Sequence, residues 1–124
     1  MEMIDKNYTY AIVGASANIE KYGHKVLIDL HTAGYKVIPI NPKGGEIEGL
    51  QVYPSLSAVK EKIDVAIFVV PPTVTSEVLI EVKNLGIDKV WMQPGSESAE
   101  AIEFCKNNNI NCVHDACIMV ARQN

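Results

Sequence analysis

The chain has 124 residues, 48% hydrophobic and 21% charged, with a net charge of −4 and Arg122 as its one arginine. That length suits one domain with a core large enough to stand without disulfides or a structural metal, and it is expected to exclude a two-domain dehydrogenase, kinase or ligase acting alone. The acidic balance and sparse aromatics argue against nucleic acid as a partner.

The first ten residues hold Glu2 and Asp5 and no apolar stretch, so no secretory signal is expected. No apolar run approaches the roughly 18 residues of a membrane span. A cytoplasmic protein is the expectation. Residues 9–13 read as a first strand that stops at Gly14. A helix follows over 22–33, with Val26, Leu27, Leu30 and Ala33 on one face and Gly34 as its cap. Residues 36–40 form a second strand, closed by Asn41-Pro42. Its Pro39 points to an edge position or a bulge. A loop with Gly44, Gly45 and Gly49 leads to Ser55, which reads as the cap of a short helix carrying Leu56 and Val59. Residues 64–70 are the most apolar strand and end at Pro71-Pro72. Thr75, Val78, Leu79, Val82 and Leu85 mark the next helix, with Gly86 after it. A fourth strand spans 89–92, a helix with Ile102 and Cys105 inward spans 97–108, and a fifth strand spans 110–113.

These strands are continuous apolar runs, as expected of parallel strands covered on both faces. Strand–helix alternation with short connections predicts an α/β fold, a single Rossmann-like, doubly wound parallel sheet over residues 1–124. Ligands of such sheets sit beyond the carboxyl ends of the strands, near the topological switch point. Here those ends read Gly14-Ala15-Ser16, Asn41-Pro42-Lys43, Val70-Pro71-Pro72, Gln93-Pro94-Gly95 and His114-Asp115.

A dinucleotide fingerprint needs G-x-G-x-x-G after the first strand. Ser16 and Ile19 hold its second and third glycine positions. An NAD site also wants an acid after the second strand, where this chain has Lys43. NAD is therefore disfavoured twice and NADP once. What remains is a nucleotide with a pyrophosphate and a further phosphate. Gly14, Ser16 and the following helix start offer amides and a hydroxyl. Lys21 and Lys25 flank that start, and Lys43 faces it. The charge is distributed accordingly: residues 1–45 hold five lysines against four acids (+1), while residues 46–124 hold six basic residues against eleven acids (−5). A small anionic ligand fits this better than a polyanion. Coenzyme A has a pyrophosphate, a 3′-phosphate and an adenine, and it fits.

Gly14-Ala15-Ser16, Lys21-Tyr22-Gly23, Asn41-Pro42-Lys43, Val70-Pro71-Pro72, Gln93-Pro94-Gly95 and Asp115-Ala116-Cys117 together resemble the small stand-alone CoA-binding proteins. Their fold is similar to the N-terminal CoA-binding domain of the succinyl-CoA synthetase alpha subunit. The resemblance runs from about Tyr8 to Val120. It implies that Gly14, Ala15, Ser16 and Ala17, with Lys25, hold the CoA phosphates and that Lys43 meets the adenosine end. It implies that Val70, Pro71 and Pro72 line the nucleotide pocket, and that Gln93, Pro94 and Gly95 border the pantetheine path. Many relatives read Asp-Arg-Cys near the end, where this chain has Ala116 in place of the arginine. The histidine that the synthetase phosphorylates lies in a second domain, so none of His24, His31 and His114 matches it. Binding of CoA is implied; formation of a thioester is not.

The remaining polar residues have plainer readings. His24 and His31 are seven apart on one helix face, whereas helical metal ligands are usually four apart. The spacing of Cys105, Cys112 and Cys117 fits no structural zinc pattern, so free thiols are expected. His114, Asp115 and Cys117 suggest an activated thiol. However, adjacent side chains on an extended chain point to opposite sides, so His114 and Asp115 are not expected to face one pocket together. Cys117 then reads as a small hydrophobe beside Ile118, and Trp91 as core. Asn107 to Asn109 read as a helix end. The expected function is a non-catalytic module, a sensor or carrier that binds CoA or acyl-CoA, with no catalytic residue and no metal. The alternatives are an NADP- or CoA-dependent enzyme and a regulatory subunit docked on an acyl-CoA enzyme. Neither nucleic acid nor membrane is an expected partner; a protein partner or homo-oligomer is open.

Overall fold

A computed structural model describes residues 3–123. Glu2, one of the two early acids, lies outside them. In chain order the elements are β1 (Thr9–Val13), α1 (Tyr22–Thr32), β2 (Lys36–Ile40), β3 (Glu46–Ile47), β4 (Leu50–Gln51), a 3₁₀ turn (Leu56–Ala58), β5 (Val65–Phe68), α2 (Pro72–Asn84), β6 (Lys89–Met92), α3 (Ala99–Asn107), β7 (Asn111–Val113) and α4 (Ile118–Ala121). Five strands form one parallel sheet in the order β2-β1-β5-β6-β7. The chain first steps from β1 outward to β2, then crosses to β5 on the other side of β1. The switch point therefore lies between β1 and β5.

Both faces of the sheet are covered, which is why its strands read as unbroken apolar runs. On one face Val26, Leu27 and Leu30 of α1 and Ile118 of α4 pack against Tyr10, Ile12, Ile67 and Trp91. On the other, Leu79 and Val82 of α2 and Ala101 and Cys105 of α3 pack against Ala11, Phe68, Val90 and Met92. Trp91 is fully buried, and its Nε1 donates to the Ala116 carbonyl at 2.9 Å. Burying a side chain of this size contributes on the order of 2–3 kcal/mol, and the one polar atom of the indole ring is satisfied. Arg122 closes the C-terminal end by donating to both carboxylate oxygens of Asp29 on α1, at 2.7 and 3.0 Å.

The structure departs from the sequence reading in several places. β5 stops at Phe68 rather than at Val70. Val69 still donates its amide to Val13 at 2.9 Å, but the Val70 amide turns out of the ladder to the Ser96 hydroxyl at 3.0 Å. α2 starts earlier than the apolar pattern alone suggests, with Pro72 in its first turn, where a fixed φ favours the helix and no N–H is missed. Leu85, the last residue marking that helix, is its C-cap and is 46% exposed. Ser55 precedes the 3₁₀ turn but makes no side-chain cap. Glu81 on α2 does that work, accepting from the amides of Leu56 and Ser57 at 3.2 and 3.3 Å. Pro39 does sit on an edge strand; its carbonyl accepts from the Tyr53 amide at 3.0 Å. The β3–β4 hairpin and α4 were not predicted, because segments this short carry no periodicity.

Candidate functional site

The loop after β1 is built by close approach. Gly14 has φ +97°, and a Cβ there would lie 2.3 Å from the Val69 carbonyl oxygen. A Cβ on Gly23 would lie 1.9 Å from the Gly14 carbonyl oxygen. The first turn of α1 is thus seated directly on the β1 loop, and that loop directly on the end of β5. Gly23 supplies the tight helix–strand packing that the third fingerprint glycine supplies elsewhere. It lies outside the G-x-G-x-x-G register.

Four polar bonds fix the loop. The Asn41 side chain donates to the Ala15 carbonyl at 2.8 Å. His24 Nδ1 lies 2.8 Å from the Ser16 carbonyl; a carbonyl only accepts, so Nδ1 carries the proton. The Ser16 hydroxyl accepts from the Asn18 amide at 3.1 Å, and the Asn18 side chain accepts from the Glu20 amide at 3.0 Å. His24 and Asn41 therefore spend their polar atoms shaping the loop. His31, on the exposed side of α1, shares no site with His24.

Lys21 occupies the N-cap of α1, makes no side-chain cap bond, and no acid stands in the first turn. The amides of Tyr22 and Gly23 have no carbonyl four residues back within the helix, and the positive end of the helix dipole faces the cleft. α2 begins the same way, with Pro71 at its N-cap, no cap bond and no acid in its first turn. Between them runs an open cleft lined by Gly14, Ser16, Lys21, Asn41, Lys43, Val70 and Pro71, together with Glu20, Tyr22, Gly23 and Val69. It continues over Ala17 and Asn18 to Gly44, Glu46 and Ile47 of the hairpin region, with Lys21 and Lys43 lining both parts.

The structure thus brings seven of the sequence-predicted residues to one cleft and Ala17 to its extension. Five others lie elsewhere. Ala15 is buried behind the loop. Lys25 is on the next turn of α1 with Nζ 5.1 Å from the centre of the Tyr22 ring. Pro42 and Pro72 are exposed outside the lining, and the Gly95 amide is taken by the Glu97 carboxylate at 2.8 Å. Gln93 and Pro94 line a neighbouring pocket with Tyr22, Val69 and Cys117. It shares Tyr22 and Val69 with the cleft, which makes it a second arm of the same surface. The sequence analysis missed Tyr22 and Val69, which pattern alone reads as a helix start and a strand end. Gly23 stands in the quoted motif without an assigned role, which its contact with Gly14 gives it, and the role of Ser96 depends on Val70, a segment distant in sequence.

Two readings near the C-terminus change. Cys117 does not pack as a core hydrophobe. It lines that second arm, with Nε2 of the Gln93 side chain donating to its Sγ at 3.3 Å and Oε1 of the same side chain accepting from the Ile118 amide at 2.8 Å. His114 and Asp115 do meet: Nδ1 lies 2.6 Å from Oδ2. Asp115 has φ +63°, and that left-handed turn removes the strand alternation that would have kept the two side chains apart.

A family model described as a CoA binding domain matches residues 8–123. The chain belongs to the CoA binding domain family. Its similarities run in two directions. It is 34% identical to the ADP-forming acetate–CoA ligase II of Archaeoglobus fulgidus over 112 residues, 81% of this chain and 17% of that protein. It is 28% identical to the YneT protein of Bacillus subtilis over 97% of this chain and 89% of that one. A solved structure of a conserved hypothetical protein from Pyrococcus furiosus superposes with a TM-score of 0.88 at 42% identity, covering 92% of this chain and 98% of that one. The chain spans between 11% and 21% of the length of the first three acetate–CoA ligases it matches. The Rossmann-like parallel sheet and the family agree with the fold and the resemblance read from the sequence.

Proposed function

We propose that this chain binds coenzyme A or an acyl-CoA across the β1/β5 switch point, as one CoA-binding unit over residues 1–124. One observation carries the reading: the uncapped start of α1 opens between Lys21 and Lys43 in a chain of the CoA binding domain family. The pyrophosphate is placed on the loop from Gly14 to Ala17 and on the amides of Tyr22 and Gly23, where the helix dipole and N–H donors favour an anion. Lys43 meets the adenosine end and its 3′-phosphate. Val70 and Pro71 supply the apolar wall for adenine. The pantetheine arm runs over Tyr22 and Val69 toward Gln93, Pro94 and Cys117. Lys25, Pro42, Pro72 and Gly95 are outside this assignment, and Ala15 contributes only backbone.

We read the chain as a binding, sensor or carrier module rather than a catalyst, acting in the cytoplasm on a small molecule and not on nucleic acid or a membrane. The support is the chemistry of the cleft, which offers amides, lysines and apolar walls, and the match to a whole solved chain of similar extent. A second reading, a subunit that presents CoA to an acyl-CoA enzyme, is favoured by the likeness to an ADP-forming ligase subunit alpha from Pyrococcus furiosus.

Calorimetry with CoA, dephospho-CoA and NADP tests the proposal. CoA should bind at micromolar levels, dephospho-CoA about tenfold more weakly for want of one charge-assisted contact, and NADP more weakly still. Absence of CoA binding at those levels overturns the proposal. Equal binding of CoA and dephospho-CoA removes the 3′-phosphate role of Lys43.

A further inference from the structure

A second cluster of reactive side chains lies away from the cleft, where α3 returns to the sheet as β7. Cys105 is in the last turn of α3, 1% exposed, with its side chain in the core between helix and sheet. Cys112 is the middle residue of β7, directly opposite Val90 of β6, and packs half-buried against that same core. The return is tight. α3 ends at Asn107, Asn109 turns with φ +57°, and the Ile110 amide bonds back to the Cys105 carbonyl at 2.9 Å. This fold-back brings Cys112 and Cys105 into the same core under α3, and the Cys112 thiol lies 3.9 Å from the Val113 carbonyl oxygen.

The two sulfurs are not equivalent. The neighbouring Cys105 thiol and, behind it, His114 hold the Cys112 thiol below its ordinary range, against the opposing effect of burial. The neighbouring Cys112 thiol and burial push the Cys105 thiol up. His114 stands two residues beyond Cys112, on the same side of the extended chain, and its ring is held by Asp115 at 2.6 Å.

We propose that Cys112 and Cys105 form a reversible dithiol, in which half-exposed Cys112 attacks low-molecular-weight disulfides and buried Cys105 resolves the adduct into a Cys105–Cys112 disulfide. In the first step the Cys112 thiolate attacks one sulfur of a small disulfide. A mixed disulfide forms, and one thiolate leaves and takes up the proton that Cys112 gave. In the second step Cys105 loses its proton and attacks the Cys112 sulfur, and the second small thiol leaves with that proton. Two cysteine thiols are oxidised, one small disulfide is reduced to two thiols, and no other reactant is needed. Cys105 needs no access to solvent, because its target packs on the same core across the fold-back. Its raised pKa makes the second step the slower one, since exchange depends on the thiolate fraction. The product staples the end of α3 to β7. Neither residue lies in the cleft assigned to CoA, so the proposal is independent of that reading.

The test uses the full chain, folded and without reductant, exposed to glutathione disulfide. Samples are quenched with acid, unfolded, alkylated, and read by intact mass and peptide mapping. The expected wild-type product lacks two hydrogens, carries no glutathione, and links Cys105 to Cys112 after a transient adduct on Cys112. Dithiothreitol should restore both thiols, and Cys105→Ala should stop at the Cys112 adduct. Should that variant not fold, the order of products in the wild type decides. A lasting adduct on wild-type Cys112, a linkage or adduct at Cys117 in its place, or full alkylation of both thiols overturns the proposal.

Discussion

Of the four helices that begin at the carboxyl edge of the sheet, α1, α2 and α3 have very different N-termini; the single-turn α4 has no cap of its own, and its Ile118 amide is taken by the Gln93 side chain. α1 and α2 open on Lys21 and Pro71, with no side-chain cap and no acid in the first turn. α3 opens on Ser98, whose hydroxyl accepts from the Ala101 amide at 3.0 Å, with Glu100 in its first turn. A cap and a first-turn acid are the ordinary means of satisfying a helix start and its dipole. Leaving them out forgoes about 1 kcal/mol per helix. The omission falls on the two helices that flank the β1/β5 switch point and spares the one beside β6. An anion bound between α1 and α2 would supply what the sequence withholds there, and α3 has no such need.

The sharpest way to break this comparison is to unseat α1. Gly23 has ordinary backbone angles, so Gly23→Ala changes space alone: its Cβ would sit 1.9 Å from the Gly14 carbonyl oxygen. Backbone must shift, costing about 3 kcal/mol or more, and CoA binding should fall below detection by calorimetry. Gly95→Ala is the control in the β6 half. Its φ is +95° but no atom lies within 4 Å of the new Cβ. Left-handed backbone alone should cost about 1–2 kcal/mol, with CoA affinity unchanged. Retained CoA binding in Gly23→Ala would disconnect the helix seat from the ligand.

A second variant gives α1 the start that α3 has. Lys21 already has extended backbone angles at the N-cap, φ −83° and ψ 146°, which suit aspartate. Lys21→Asp should raise the stability of the ligand-free chain by about 1 kcal/mol while weakening CoA by well over tenfold. It adds a carboxylate where a phosphate would sit and removes a lysine. Higher stability with unaltered CoA affinity would remove α1 from the phosphate site. Lys43→Ala should have a smaller effect, about tenfold for CoA and less for dephospho-CoA, as for one charge-assisted contact. Lys25→Ala, whose ammonium lies over Tyr22 rather than in the cleft, should change affinity less than about twofold, as for an exposed charge.

Much of this was legible from sequence because the signals are local and repeated. Unbroken apolar runs bounded by Gly14, Asn41-Pro42 and Pro71-Pro72 mark parallel strands and their carboxyl ends, and the sheet follows from the alternation. The cleft residues at those ends follow from the topology rule without coordinates. Contacts between segments far apart in the chain were illegible. Gly23 matters because of Gly14, and Ser96 because its hydroxyl takes the Val70 amide. Glu81 replaces Ser55 as the cap of the 3₁₀ turn from across the fold. Lys21 and Lys25 look alike in sequence, and only the helix rotation separates them. His114 and Asp115 were misjudged because strand alternation does not survive the positive φ of Asp115.

The smallest expected effect lies on the satisfied side. Ser98→Ala removes the only cap hydroxyl at the start of α3 and leaves the Ala101 amide, in a half-buried setting, without its acceptor. The loss should be about 1 kcal/mol, read as a lower thermal midpoint or a lower urea midpoint with unchanged slope. CoA affinity should not move, because Ser98 touches neither arm of the cleft and α3 points its first turn at its own side chains. Adding saturating CoA should then stabilise wild type and Ser98→Ala by the same increment, since a ligand that binds only the folded chain adds a term set by its affinity alone. Unequal increments would mean that the α3 start is coupled to the ligand, and the division between bare and satisfied helix starts would no longer mark where the ligand lies.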